Sequence, residues 1–418
     1  MTREPISAPP SAASHPPYSE GPVVVISRRA ADRLRAGHVW VYRSDIEHLV
    51  EMEAGLIAVA DHRGIPLGTA LWSPASQISL RLVTTEPYLP HREWMALFEQ
   101  RLRQAIQRRS GMLDEGTDAC RLVFSEADQL PGLIVDRYGD LILVEILTKA
   151  LDRNDIRASI VEVLRSELSP LTIVERSDPR IRELEQLSEP ADEPLFSAES
   201  VVQLTSIFHL NGLAFHYNAN AGQKTGAFLD QRLNYAAACR HAHGEALDVC
   251  TYQGGFALHL ARSCSRVTGV DASRAALETA EENLAVNRHR IQAPVDWIEA
   301  NAFDLLRDWS TAGTTFDTVV LDPPAFAKSK RAVPGALRGY KELNLRALKM
   351  LRPGGTLVTC SCSHHVSWDE FHGVVAAAAG DAQRRVLLLE RRGAAPDHPV
   401  ILNIAETEYL KCLILRVD

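Results

Sequence analysis

Hydrophobic and polar positions divide the chain into three stretches with different periods. In the first, β-rich runs over 23–26, 56–60 and 78–83 alternate with turn signals such as Asp61-His62-Arg63-Gly64, which predicts a small barrel. The second opens with apolar Met95, Leu97, Phe98, Leu102 and Ile106 at helical spacing over 94–109. It continues with a hairpin turning at Tyr138-Gly139-Asp140, a helix over 154–168 and a strand over 171–175, a small α+β unit. Residues 188–200, rich in Pro, Glu and Ser, read as a linker or exposed loop. Asn211-Gly212 breaks 207–215 into a second hairpin. From residue 245 the rhythm becomes strand–helix: strands over 246–250, 267–270, 295–299, 318–321 and 356–360 alternate with helices over 256–262, 275–287, 302–309 and 341–351. That regular alternation predicts a doubly wound parallel sheet.

Length and composition sharpen the division. A chain of 418 residues exceeds one ordinary domain, and the pattern changes suggest units over 23–90, 91–200 and 201–418. Residues 1–22, proline-rich without an apolar stretch, read as a disordered tail rather than a signal peptide. No apolar run approaches the roughly 18 residues of a membrane span, so no membrane partner is expected. The net charge of −8 is unevenly spread: residues 114–200 carry −11, against +2 before them and +1 after. The flanking parts are therefore free to present basic surface to phosphate. Seven cysteines, odd in number and mostly scattered, suit reduced thiols in a cytoplasmic protein.

Candidate chemistry gathers where strands of the last stretch end, because ligands of open α/β sheets bind at that edge. The strand–turn–helix over 246–256 holds Asp248, Tyr252 and Gly254 but lacks the G-x-G-x-x-G fingerprint of a plain dinucleotide site. The next strand ends at Asp271, 23 residues after Asp248, where an acid accepts hydrogen bonds from ribose hydroxyls. Any doubly wound domain can carry such a turn; the two features together favour nucleoside binding. Asn301 suits either an adenine edge or a helix N-cap. In Asp322-Pro323-Pro324-Ala325-Phe326 the prolines stiffen a loop whose carboxylate suits a base edge and whose ring offers a stacking face.

The cysteines near the C-terminus, Thr359-Cys360-Ser361-Cys362-Ser363-His364, admit three readings. Cys360 suits a small buried strand residue. Cys360, Cys362 and His364 could share a metal, but zinc needs four ligands and no further Cys/His pair lies nearby in sequence, so no metal is expected. Cys362, beyond the last apolar strand residue, suits a nucleophile at the mouth of a cleft. Near the N-terminus, Arg28, Arg29, His38 and Trp40 set basic residues beside aromatics, which reads either as an RNA-binding surface or as a solvated helix before a core Trp.

Taken together these residues resemble the class I S-adenosylmethionine-dependent RNA methyltransferases. More narrowly the chain is similar to the RlmI type, which forms 5-methylcytosine in large-subunit (23S) ribosomal RNA. The motifs are Gly37-His38-Val39-Trp40-Val41, similar to a PUA barrel opening, and Ser73-Pro74-Ala75-Ser76-Gln77-Ile78. They continue through the run Gly222-Gln223-Lys224-Thr225-Gly226-Ala227-Phe228-Leu229-Asp230-Gln231-Arg232, the Asp-Pro-Pro loop, Arg338-Gly339-Tyr340-Lys341 and Asp397-His398-Pro399-Val400. The resemblance implies a Rossmann-like class I methyltransferase domain behind a PUA-like barrel and a small α+β middle domain. It implies S-adenosylmethionine contacts from Phe228, Asp230, Arg232, Asp248, Tyr252, Gly254, Asp271, Asn301 and Asp322. For RNA it implies Arg28, Arg29, His38, Trp40, Phe326, Lys328 and Lys341. Counting seven residues from Gly355 of the Pro-Gly-Gly turn, as in related cytosine-5 enzymes, gives Cys362 as nucleophile, with Asp322 on the base.

The expected partner is large-subunit ribosomal RNA, with a homodimer possible. Lys328, Lys330 and Arg331 are the sequence's candidates for making Cys362 acidic. Two rivals stand beside this reading: methylation of a base nitrogen, which needs no thiol, and a non-catalytic RNA-binding protein, against which the acids of the cofactor strands argue.

Overall fold

The computed structural model describes residues 21–47, 51–176, 178–190, 193–200, 202–220 and 228–418. The expected tail lies outside them save for its last two residues, as does 221–227, the first part of the Lys-Thr-Gly run.

The N-terminal unit runs β1 (Val23–Ile26), α1 (Arg28–Arg35), β2 (Trp40–Tyr42), β3 (Gly55–Asp61), β4 (Pro66–Trp72) and β5 (Ile78–Thr84), with strand order β1-β3-β4-β5-β2. Ser27 caps α1 by accepting from the Ala30 N–H. That helix turns Ala30, Ala31 and Leu34 inward and leaves Arg28 and Arg29 in solvent. Sequence reading misses β2, only three residues long, and β4, which Pro66 and Gly68 disguise as a turn.

The middle unit follows: α2 (His91–Arg109), β6 (Ala119–Phe124), β7 (Leu133–Tyr138), β8 (Leu141–Ile146), α3 (Asn154–Leu168), β9 (Thr172–Glu175), α4 (Pro179–Glu185) and β10 (Phe196–Ser197). The strands form one sheet, β10-β9-β8-β7-β6. The expected linker over 188–200 contributes β10, which pairs antiparallel with β9. One sheet face packs Leu122, Val135 and Val144 on Phe98 and Leu102 of α2, in the same core as Leu71 and Val83 of the barrel. Barrel and middle unit are therefore fused by shared apolar contact. Polar ties reinforce the seam: Trp40 donates its indole N–H to Glu126 at 2.9 Å, and Arg101 donates to the Val83 carbonyl at 2.7 Å.

The hairpin of β11 (Thr205–Leu210) and β12 (Leu213–Asn218) fills the other face of that sheet, with Tyr217 stacked on Tyr138 at 4.1 Å. It joins the middle unit to the third, which runs α5 (Arg232–His241), β13 (Glu245–Val249), α6 (Gly255–Leu260), β14 (Arg266–Asp271), α7 (Arg274–Asn287), β15 (Val295–Glu299), α8 (Ala302–Ala312) and β16 (Phe316–Leu321). The rest is α9 (Val333–Met350), β17 (Leu351–Ser361), α10 (Trp368–Asp381), β18 (Val386–Arg392) and β19 (Lys411–Val417).

The seven strands are ordered β15-β14-β13-β16-β17-β19-β18, and β19 runs antiparallel to both neighbours. The five strands expected from sequence, β13 to β17, pair in parallel throughout; β18 and β19 lie beyond that expectation. Between β18 and β19, among the described residues, the chain forms no α-helix, only a short 3-10 turn over Ala405–Thr407, and without a helical crossover the returning strand pairs antiparallel. Helix α9 starts eight residues before its expected position, because Pro334 is tolerated in a first helical turn. Among the described residues no helix is long and apolar enough to cross a membrane.

Candidate active site

The site lies at the carboxyl edge of the seven-stranded sheet and is built from the exits of five strands, β13 to β17. After β13 the chain turns sharply, with Cys250, Tyr252 and Gly254 all at positive φ (64°, 52° and 84°). For two non-glycine residues this is costly geometry. It is held by the Tyr252 N–H donating to Asp271 Oδ2 at 2.9 Å. Asp271, the last residue of β14, also accepts from the Ser273 N–H at 2.9 Å. Past β15, Asn301 accepts from the N–H groups of Phe303 and Asp304 and so caps α8. Past β16, Asp322 accepts from Gln231 Nε2 at 3.0 Å. Past β17, Ser361, Tyr340 and Ser363 join through hydroxyls at 2.9 Å, and Ser363 Oγ accepts from the Ala327 N–H. The Asp-Pro-Pro loop and the cysteine turn are thereby tied together, with Cys362 Sγ 3.8 Å from the Pro323 carbonyl.

These exits enclose a cavity of about 670 Å³ lined by Phe228, Asp230, Tyr252, Asp271, Asn301, Asp322, Phe326 and Cys362. Eight residues singled out from sequence thus meet at one place. Three carboxylates face this space, and Asp230 Oδ1 is buried without a hydrogen-bond partner among the described residues. Such acceptors fit a ligand that is cationic at one end and rich in hydroxyls, which S-adenosylmethionine is.

Three expected cofactor residues are placed otherwise. Asp248 is fully buried; its Oδ2 accepts from the Thr251 hydroxyl at 2.5 Å and the Ala257 N–H at 2.8 Å, fixing the β13 turn to α6. In register it pairs with Gly269, two residues short of the strand end where Asp271 stands. Arg232 is internal, donating to the Met112 carbonyl at 3.0 Å and lying 3.6 Å from Asp397. Gly254 needs its positive φ, the space where a Cβ would stand is closed by Trp297 at 3.0 Å, and it does not line the cavity.

The expected RNA residues scatter. Lys328 is exposed two residues beyond Phe326, and Arg28 and Arg29 are exposed on α1. Lys341 pairs with Asp381 of α10 at 2.8 Å, Trp40 is committed to Glu126, and His38 accepts from the Trp40 N–H at 3.1 Å.

The two cysteines separate cleanly. Cys360 is fully buried opposite Cys412, and burial, with that neighbouring thiol, pushes its pKa well above the ordinary value. Cys362 is partly exposed and lines the cavity.

Sequence reading missed the segment between β18 and β19. Its Ala395 N–H donates to the Asp230 carbonyl at 2.8 Å and its Tyr409 hydroxyl to Asp230 Oδ2 at 2.6 Å. Tyr409 also stacks on His364 at 5.2 Å, and Asn403 donates to the Ala36 carbonyl of the barrel at 2.8 Å. The only sequence signal was Asp397-His398-Pro399-Val400, whose Asp397 is buried and accepts from the Arg121 N–H at 3.0 Å.

Burial raises the Asp248 carboxyl to about 7. The native state then keeps a proton that the unfolded chain releases near the ordinary carboxyl value, so stability falls as pH rises between that value and about 7. Asp248→Asn should gain stability relative to the parent protein across this window, read as thermal midpoints at several pH values. A constant difference between the two proteins would contradict the burial argument.

A seven-stranded methyltransferase-type sheet with an acid-lined cavity, behind a PUA-like barrel, defines the class of S-adenosylmethionine-dependent methyltransferases. The family model of that description matches residues 189–416, and a PUA-like domain model matches 24–85. A ribosomal RNA large subunit methyltransferase I of Shewanella denitrificans is 37% identical over 92% of this chain and 96% of its own length. One of Salmonella schwarzengrund is 34% identical over 96% and 98%. The chain belongs to the ribosomal RNA large subunit methyltransferase I family. In fold it is similar to a Streptococcus mutans protein described as a SAM-dependent methyltransferase (TM-score 0.79, 19% identity, 94% of this chain and all of that one). A structure described as a methyltransferase complexed with SAH superposes with a TM-score of 0.80, again at 19% identity over 94% of this chain and all of that one.

Proposed function

We propose that the protein methylates C5 of a cytosine in large-subunit ribosomal RNA, with Cys362 as nucleophile and Asp322 on the base. The observation that carries this reading is the meeting of Cys362, Asp322 and Phe326 on one cavity with the carboxylates that suit the cofactor. When bound, S-adenosylmethionine supplies an electrophilic methyl group that C5 takes up. Cytosine C5 is too electron-poor to do so unaided. The Cys362 thiolate adds to C6 of a flipped-out base, leaving C5 enamine-like. Asp322 accepts from the N4 amino group and Phe326 stacks on the ring. The C5 proton is then lost to water, its electron pair re-forms the C5–C6 double bond, and the C6–S bond breaks to release the Cys362 thiolate.

Asp230, Asp271 and Asn301, with the aromatic pair Phe228 and Tyr252 (5.3 Å between centroids), are the proposed cofactor contacts. Lys328, Arg28 and Arg29 are the proposed phosphate contacts. The proposal extends to units over 23–90, 91–200 and 201–418, to a cytoplasmic setting and to a homodimer. Exposed Leu387, Leu388 and Leu389 on edge strand β18 support self-association.

Incubation with large-subunit ribosomal RNA and methyl-labelled cofactor, followed by nucleoside analysis, should give label in 5-methylcytidine. Label in a nitrogen-methylated base would favour the thiol-independent rival.

A further inference from the structure

Lys411 opens β19, and its register partner on β17 is Ser361, one residue before Cys362. Its side chain is 1% exposed, and its ammonium donates to the carbonyls of Ser363 at 2.9 Å and Val366 at 2.7 Å. A buried cation is costly unless an opposite charge compensates it. Among the described residues no carboxylate stands within ion-pair distance of it. The nearest acids are engaged elsewhere: Glu370 accepts from the Ser367 N–H and hydroxyl at 2.8 Å, and Glu408 from the Trp368 indole at 2.7 Å. Burial brings the Lys411 pKa down to about 8, and the group that most favours its charged form is Cys362, ahead of Glu408 and Glu370. The pKa of His364, whose ring nitrogen lies 3.2 Å from the Glu406 carbonyl, is lowered by desolvation, with the Lys411 charge acting in the same direction.

We propose that Lys411 is the positioning residue of the nucleophile: its buried ammonium stabilises the Cys362 thiolate, and its two carbonyl contacts fix the turn that presents the thiol. The proposal rests on the reading of Cys362 as nucleophile. Thiolate formation gives the orphaned cation its counter-charge, so each group lowers the other's burial penalty. Two groups around the thiol do not help. Tyr340 stays neutral because burial raises its hydroxyl, and Asp322, on the same cavity, opposes a second negative charge. Lys328, Lys330 and Arg331 are exposed, where solvent and salt screen them. The structure therefore favours Lys411 over the cations suggested by sequence.

The test is the pH dependence of Cys362 alkylation by iodoacetamide in the full-length protein without RNA, followed by peptide mass spectrometry. The parent protein should show a midpoint below the ordinary thiol value of about 8.5, unchanged between low and 1 M salt. Lys411→Met, which keeps the packed volume, should raise the midpoint by about one unit or more, and Lys411→Arg should recover most of the shift. A parent midpoint at or above the ordinary value, one that salt moves up to it, or a folded Lys411→Met protein with the parent midpoint would overturn the proposal. The salt comparison needs no variant, so misfolding of Lys411→Met leaves the proposal exposed to refutation. Because no methyl transfer is read, a low Lys411-dependent midpoint beside a fully active Cys362→Ala enzyme would refute the nucleophile reading alone.

Discussion

Cys362→Ala should abolish methyl transfer, by at least about 10⁴-fold, and leave cofactor affinity unchanged, while Cys360→Ala should retain much of the activity. The chemistry sets this asymmetry. Without a covalent bond at C6 the base has no nucleophilic C5, so removing the thiol removes the reaction rather than slowing one step. The structure allots the two thiols different surroundings: Cys362 opens on the cavity against the Pro323 carbonyl, whereas Cys360 lies in the core opposite Cys412. Labelled methyl transfer and calorimetric cofactor titration on both variants check it. Full activity in Cys362→Ala would remove the nucleophile, and activity in the double variant would favour methylation of a nitrogen. A dead Cys360→Ala protein that still binds cofactor would put the assignment between the two thiols in question.

Asp271→Ala should weaken S-adenosylmethionine binding by about 1–3 kcal/mol, the scale of a lost charge-assisted hydrogen bond. Asp271 ends β14 at the cavity, and each carboxylate oxygen accepts one backbone N–H while retaining a lone pair for a ribose hydroxyl. Part of the loss will come through Tyr252, whose turn Asp271 holds. Asp271→Asn, which still offers one acceptor to that turn, should bind with intermediate affinity. Unchanged affinity in a folded Asp271→Ala protein would remove the ribose assignment.

The sheet and most of its crossovers were legible because apolar runs ending in turn residues report strands directly. Helix α3 and strand β15 fall on their expected bounds. The site's outline was legible for the same reason: Asp271, Asn301, Asp322 and Cys362 each follow a recognisable strand. Depth within a strand was not. Asp248 and Asp271 look equivalent in sequence, yet register places Asp248 two residues inside the sheet edge, where it binds its own turn. The antiparallel β19 and the segment before it were also hidden. Their partners, Asp230, His364 and Ala36, lie far away in sequence, so no local pattern records the contacts. Lys411 illustrates the limit. In sequence it is a polar residue at a strand start; in the fold it is a buried cation beneath the turn that carries Cys362.

The central claim, a covalent bond from Cys362 to the target base, is tested most directly with RNA carrying 5-fluorocytosine. Fluorine cannot leave C5 as a proton does, so the adduct cannot resolve after methyl transfer. The account predicts a denaturant-stable protein–RNA complex that requires S-adenosylmethionine, with the nucleotide mapped to the peptide at Cys362. No stable complex under conditions where unmodified RNA is methylated, or a nucleotide mapped to Cys360, would contradict it.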